Sequence, residues 1–209
     1  MNDRIQYISQ GNSAKEQLVN IAKVLDAGCS WIQLRYKDAS ESEVLQLALS
    51  VKKLIQNYDC TFIINDYPEV AKIVDADGIH LGLNDMPISQ ARELLGANKI
   101  YGGTANTLQD VIQRHNEQCD YIGLGPFRFT ATKQKLSPIV GLEGYKTIMQ
   151  QLPINFKTPV YAIGGIEPND IDAILKTGVY GVALSAAITH HAQQKQLINQ
   201  LYQTCSHYI

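Results

Sequence analysis

A chain of 209 residues with 45% hydrophobic and 18% charged side chains can bury one sizeable core, and this composition excludes general disorder. Eighteen basic against twenty acidic residues give a formal net charge of −2, which leaves no basic excess to hold a nucleic-acid backbone. No apolar run approaches the roughly 20 residues that cross a bilayer, and Met1-Asn2-Asp3-Arg4-Ile5-Gln6 lacks the basic-then-apolar pattern of a secretory signal. Cys29, Cys60, Cys119 and Cys205 are widely spaced and form no CxxC pair, as expected of thiols in a reducing cytoplasm.

Two periodicities alternate along the chain. Short apolar runs at Ile5–Ile8, Trp31–Tyr36, Thr61–Asn65, Gly78–Leu81, Lys99–Gly103, Tyr121–Gly125, Val160–Ile163 and Gly181–Leu184 predict strands. The stretches between them carry a helical period. In Ser40–Tyr58 the residues Val44, Leu47, Ala48, Val51, Leu54 and Ile55 form one apolar stripe, and Ser40 with Glu43 makes a capping box at its start. Asn12, Thr107 and Asn169 are candidate caps or first-turn residues, and Gly28, Gly96 and Gly178 stand where helices should stop. Strands that alternate with helices predict a parallel sheet. Eight such units predict a single-domain α/β fold over residues 1–209, a (β/α)8 TIM barrel, with a doubly wound open sheet as the alternative. The segment Phe127–Val140 is long for a loop between strand and helix, as binding loops often are.

Active sites of such barrels lie at the C-terminal ends of the strands, which directs attention to the polar residues there. In Gln33-Leu34-Arg35-Tyr36-Lys37, alternation puts Gln33, Arg35 and Lys37 on one side. If Leu34 faces the helices, two cations point toward the barrel axis and call for an anion. Asp66 and Asp85 stand after adjacent strands, where they would share a magnesium ion or, alternatively, cap the following helices. Thr130-Ala131-Thr132-Lys133 offers hydroxyls, N–H groups and a cation suited to a diphosphate. Gly164-Gly165 and Ser185-Ala186 end the last two strands, a frequent place for a phosphate in barrels. Two anion sites at one mouth suggest two phosphorylated substrates or one bisphosphate. His80 is expected to be a packed or hydrogen-bonded strand residue, and no Ser-His-Asp arrangement or zinc spacing is readable.

These segments, in this order, resemble the thiamine-phosphate synthase family over nearly the whole chain. The resemblance is carried by Gln33-Leu34-Arg35-Tyr36-Lys37, Asn65-Asp66, Asp77-Gly78-Ile79-His80-Leu81-Gly82 with Asp85, Asp120-Tyr121-Ile122-Gly123-Leu124-Gly125-Pro126, Thr130-Ala131-Thr132-Lys133 and Ala162-Ile163-Gly164-Gly165-Ile166. It implies a transferase that joins an aminopyrimidine methylene diphosphate to hydroxyethylthiazole phosphate, or its carboxylated form, with release of pyrophosphate. Arg35, Lys37 and Lys133 would be the catalytic cations. Gln33, Leu34, Arg35, Tyr36, Lys37, Asn65, Thr104, Thr130, Ala131, Thr132 and Lys133 would line the substrates. Gly165, Ser185 and Ala186 would take the thiazole phosphate, and Asp66 and Asp85 would hold Mg2+. The implied partners are small phosphorylated molecules, with no nucleic acid and no membrane, and the sequence leaves homo-oligomer formation open.

The chain departs from the family's usual pattern at four places: Leu83 replaces a common Gln, Thr104 a Ser, Asn106 a frequent His, and Ser185-Ala186 an Ile-Ser pair. Three rival readings follow from related chemistry. A thiazole tautomerase would lack the T-x-T-K loop and use a His near position 106. A phosphosugar-type isomerase would need a clear acid/base pair. A non-catalytic barrel that binds thiamine phosphates would not need a metal-diphosphate clamp.

Overall fold

The computed structural model describes residues 3–129 and 138–208. Strands β1 (Ile5–Ile8), β2 (Trp31–Leu34), β3 (Thr61–Asn65), β4 (Gly78–Leu81), β5 (Ile100–Ala105), β6 (Tyr121–Leu124), β7 (Val160–Ile163) and β8 (Gly181–Leu184) pair in sequence order. β1 also pairs in parallel with β8, with Ile5 opposite Val182 and Tyr7 opposite Leu184, so the sheet closes and the open alternative is excluded.

Helices α1 (Ala14–Asp26), α2 (Glu41–Ile55), α3 (Pro68–Ile73), α4 (Ile88–Leu95), α5 (Leu108–Asn116), α6 (Gly141–Gln151), α7 (Ile171–Leu175), α8 (Ala186–Thr189) and α9 (Gln194–Ser206) surround it, with a 3₁₀ turn at Pro168–Asp170. The capping box of Ser40 and Glu43 starts α2, and Thr107 with Asp110 forms another on α5. For α1 the cap is Ser13 rather than Asn12, because Ser13 can place its hydroxyl on the N–H of Glu16. Asn169 is a first-turn residue, inside the 3₁₀ turn Pro168–Asp170 that Glu167 precedes. Gly28, Gly96 and Gly178 follow helices with φ of 99°, 91° and 96°, a left-handed backbone that glycine adopts without a Cβ clash.

Alternation along the strands builds two cores. Outward residues such as Ile32, Leu34, Ile64, Ile79, Leu81, Ile122, Ala162 and Val182 pack against the helices. Inside the barrel Trp31, Ile63, Tyr121 and Tyr161 form a separate plug. Trp31 meets Tyr121 and Tyr161 edge-on at 4.9 and 5.0 Å between ring centroids, a geometry that aromatic quadrupoles favour. The plug closes the barrel below its mouth, so chemistry is confined to the C-terminal ends of the strands.

Three strands differ in their bounds from the sequence expectation, β5 at both ends. β2 stops at Leu34 because the N–H of Arg35 donates to Ser9 Oγ at 2.9 Å. β6 ends at Leu124, one residue early, with the N–H of Gly125 still on the carbonyl of Ala105. β5 runs on to Ala105, which places Thr104 within the barrel wall rather than beyond it.

Candidate active site

Register fixes what faces the mouth. Asn65 pairs with His80, His80 with Gly102, and Thr104 with Gly123. Gln33, Asn65, His80 and Thr104 therefore point inward from four consecutive strands. Gln33 is buried and its Nε2 donates to Asn65 Oδ1 at 2.8 Å. Its Oε1 is also buried and has no hydrogen-bond partner among the described residues. An orphaned amide oxygen costs about 1–3 kcal/mol, so its presence at a mouth marks a place where a ligand donor belongs.

Asp66 follows Asn65 with φ of 67°, a left-handed conformation that Asp tolerates better than most residues. Its N–H donates to the carbonyl of His80 at 3.0 Å, which ties β3 to β4 where both strands end. The Asp66 carboxyl meets that of Asp85. Burial, then the charge of Asp85 and a hydrogen bond with it, push the Asp66 pKa up to about 6 from the usual 3.8, against the opposing pull of Arg35 and Lys37. Neither residue caps a helix: the position before α3 is Tyr67 and the position before α4 is Pro87. Asp85 Oδ2 instead accepts from the N–H of Gly82 at 2.5 Å. Arg35 is largely buried, which lowers its pKa, while the charges of Asp66 and Asp38 act the other way.

Two facing carboxylates beside a guanidinium fit a divalent cation, which would relieve the repulsion that raises Asp66. Among the described residues no group of three or more His, Cys, Asp or Glu could hold a metal. Such an ion would therefore take two protein carboxylates and complete its shell with water and phosphate oxygens.

Across the mouth, Gly164 and Gly165 have φ of 88° and 73°. A Cβ on Gly164 would lie 2.8 Å from that of Pro126, so glycine lets this turn pack against the β6 loop. α8 opens at Ala186, just after the half-buried Ser185, and its first N–H groups have no partner within the helix. Arg128 joins the two sides of this region. Its guanidinium donates to the carbonyl of Gly165 at 2.9 Å and forms a two-pronged pair with Asp170 at 2.7 and 2.8 Å.

The sequence-predicted residues divide as follows. Gln33, Arg35, Asn65, Asp66, Asp85 and Thr104 come together at the β2–β5 side of the mouth, with the exposed Lys37 close enough to lower the Asp66 pKa. Gly165, Ser185 and Ala186 gather at the ends of β7 and β8. The side chains of Leu34 and Tyr36 do not reach the mouth. They pack in the outer core, because alternation sends them toward the helices. Thr130, Ala131, Thr132 and Lys133 lie outside the described residues.

Two residues that organise the mouth escaped the sequence reading. One is Arg128. The other is Arg114, buried on α5, which donates to the carbonyls of Gly82 and Thr104 at 2.8 and 3.1 Å and pairs with Glu117. The available signal was the glycine pair in β5, since a Cβ on Gly103 would meet Arg114 Cδ at 2.6 Å.

A cleft of about 820 Å3 lies elsewhere, between the C-terminal end of α1 and α9, with Lys23, Asp26, Gln196 and Gln200 among its lining. Neither Asp66 nor Asp85 is part of its lining. No described helix is long and apolar enough to cross a membrane.

Comparison with known proteins gives the family of the chain. The family model described as thiamine monophosphate synthase matches residues 6–188. A thiamine-phosphate synthase of Flavobacterium psychrophilum is 56% identical over 202 residues, covering 96% of this chain and 98% of the relative. One of Bacteroides thetaiotaomicron is 48% identical over 185 residues, 88% of each chain. The solved thiamine phosphate pyrophosphorylase of Pyrococcus furiosus superposes with a TM-score of 0.84 at 30% identity, covering all of this chain and 98% of that one. With its barrel and nearly all its length matched, the chain belongs to the thiamine monophosphate synthase family and is an enzyme, a transferase of the thiamine-phosphate synthase kind.

Proposed function

We propose that residues 1–209 act as one catalytic domain whose mouth binds the aminopyrimidine methylene diphosphate on the β2–β5 side and the thiazole phosphate, plain or carboxylated, at the ends of β7 and β8. The observation that carries this reading is the Asp66–Asp85 pair with its raised carboxyl, set beside Arg35. Asp66 and Asp85 would hold Mg2+, which neutralises charge on the diphosphate. Arg35 and Lys37 bind the leaving phosphate oxygens, and Lys133 adds a third cation, with Thr130, Ala131 and Thr132 supplying donors beside it. The unpartnered Gln33 Oε1 accepts from the exocyclic amine of the pyrimidine. Backbone N–H groups of Gly165, Ser185 and Ala186 receive the thiazole phosphate.

In the reaction the methylene C–O bond breaks and its electron pair leaves with pyrophosphate. The thiazole nitrogen then donates its lone pair to the same carbon. No protein nucleophile or base enters this balance, in keeping with a mouth that offers cations and amides. The residues' work is to stabilise the departing anion, align the two substrates and keep water from the methylene. The thiols of Cys29, Cys60, Cys119 and Cys205 are unpaired, which favours a reducing cytoplasm.

The tautomerase reading is less well supported. Asn106 stands where that reading needs a His, and its amide is spent on the carbonyl of Gly125.

The test combines protein, both substrates and Mg2+ and follows thiamine phosphate after oxidation to its fluorescent product. Metal-dependent product is expected, and Asp85→Ala should abolish it while thiazole phosphate still binds. Loss of thiazole binding in Asp85→Ala would refute the two-sided mouth. No product from folded wild-type protein that still binds thiazole phosphate would favour the tautomerase or a binding protein.

A further inference from the structure

Beneath the mouth, a chain of hydrogen bonds crosses the barrel to Thr104 through residues given no role above. Gln6 Nε2 lies 3.2 Å from Tyr121 Oη, which lies 3.0 Å from His80 Nδ1. His80 Nε2 lies 2.9 Å from Thr104 Oγ1. Gln6, Tyr121 and His80 are all buried, and Thr104 is half-buried at the mouth.

The direction of the chain follows from the donors available. An amide nitrogen only donates, so Tyr121 Oη accepts from Gln6. Burial pushes the Tyr121 phenol well above its ordinary pKa, so it keeps its single proton and donates it to His80 Nδ1. A ring that accepts at Nδ1 donates from Nε2. Thr104 Oγ1 receives that proton, and its own hydroxyl hydrogen is left to point into the mouth.

The surrounding glycines support a built arrangement. A Cβ on Gly102 would lie 2.2 Å from Tyr121 Cζ and 2.5 Å from its Oη. One on Gly123 would lie 3.2 Å from His80 Cε1. The Tyr121 ring thus occupies space that only glycine in β5 leaves.

We infer that Gln6 and Tyr121 are positioning residues that hold His80 in its Nε2-protonated tautomer, so that Thr104 presents a hydroxyl donor to an acceptor atom of the pyrimidine diphosphate. This rests on the proposed assignment of the β2–β5 side to that substrate. It makes the mouth complementary in sense: Gln33 offers an acceptor and Thr104 a donor, a pair suited to a heteroaromatic amine with a ring nitrogen or a phosphate oxygen nearby.

The test begins without turnover. A long-range 1H–15N spectrum of the wild-type protein should show the His80 proton on Nε2, and Tyr121→Phe should leave the ring in mixed tautomers. In kinetics, Tyr121→Phe should lower kcat/KM for the pyrimidine diphosphate about tenfold, the worth of one well-placed hydrogen bond, with the KM for thiazole phosphate unchanged. Combined with Thr104→Ala, it should cost no more than Thr104→Ala alone. A His80 proton on Nδ1 in the wild type overturns the inference, as do additive losses in the double variant or equal losses for both substrates. If Tyr121→Phe does not fold, Gln6→Leu carries the same spectrum and kinetics. The tautomer is read in the free protein, so an error in the assigned substrate would leave that result standing and appear only in the kinetics.

Discussion

Arg114 Nη2 donates to the carbonyl of Gly82 at 2.8 Å, while Asp85 Oδ2 accepts from the N–H of the same residue. Gly82, just after β4, is thus held from both sides, by a buried cation on α5 and by the carboxylate of Asp85. The same guanidinium holds the carbonyl of Thr104 at 3.1 Å, so the ends of β4 and β5 hang on one side chain. Gly103→Ala would put a methyl 2.6 Å from Arg114 Cδ and displace it. Overpacking of this kind costs about 1–3 kcal/mol. A lower Tm together with at least a tenfold fall in kcat/KM is expected, and a variant with wild-type kinetics would remove Arg114 from the design of the mouth.

The Asp66–Asp85 pair gives the metal-free protein a pH dependence whose sign can be worked out. Folding raises the Asp66 pKa from 3.8 to about 6, so protonation favours the folded state. The contribution is complete below 3.8 and is lost as the pH rises through about 6. Discounted for partial solvent contact, the loss is about 1–2 kcal/mol. Thermal melts without divalent metal should therefore fall by a few degrees between pH 5 and pH 7.5, by an amount of order 2–4 °C. Added Mg2+ should stabilise more at the higher pH, where it has no proton to displace. Asp66→Asn should flatten both trends.

Gln33 is expected to matter for one substrate. Replacement with Leu removes the orphaned Oε1 and the bond to Asn65 without a large change in volume. The KM for the pyrimidine diphosphate should rise about 10–100-fold, as for a lost polar contact in a dry site, with the KM for thiazole phosphate within twofold of wild type. Equal effects on both would mean that Gln33 supports the barrel rather than the ligand.

Arg128 is expected to matter for the other. Its contacts with Gly165 and Asp170 hold the β7–α7 turn against the β6 loop. Because its guanidinium sits near the surface, Arg128→Ala should change stability by less than about 1 kcal/mol. The KM for thiazole phosphate should nonetheless rise about 3–10-fold through loss of a preformed loop. Arg128→Lys should not restore it, since an ammonium cannot make the two-pronged contact. Unchanged thiazole kinetics in Arg128→Ala would assign the pair to the surface alone.

The repeating architecture was legible in the sequence because it rests on local rules. The period-two runs placed all eight strands to within a few residues, and Ser40–Glu43 and Thr107 marked helix starts through contacts three residues apart. The strand-end rule for barrels then picked out Gln33, Arg35, Asp66, Asp85 and Gly165 as mouth residues, and the family resemblance added Asn65 and Thr104, without knowledge of their distances. What only the tertiary structure decided depends on register and on side chains that reach across elements. Arg114 lies 32 residues from Gly82, Arg128 lies 42 from Asp170, and Gln6 lies 115 from Tyr121. No local periodicity records such pairings, because each exists only once the sheet has closed and set which strand ends stand side by side. The same closure decided that Leu34 and Tyr36 turn outward, and it brought Asp66 against Asp85, so that burial and a neighbouring carboxylate raise the Asp66 pKa.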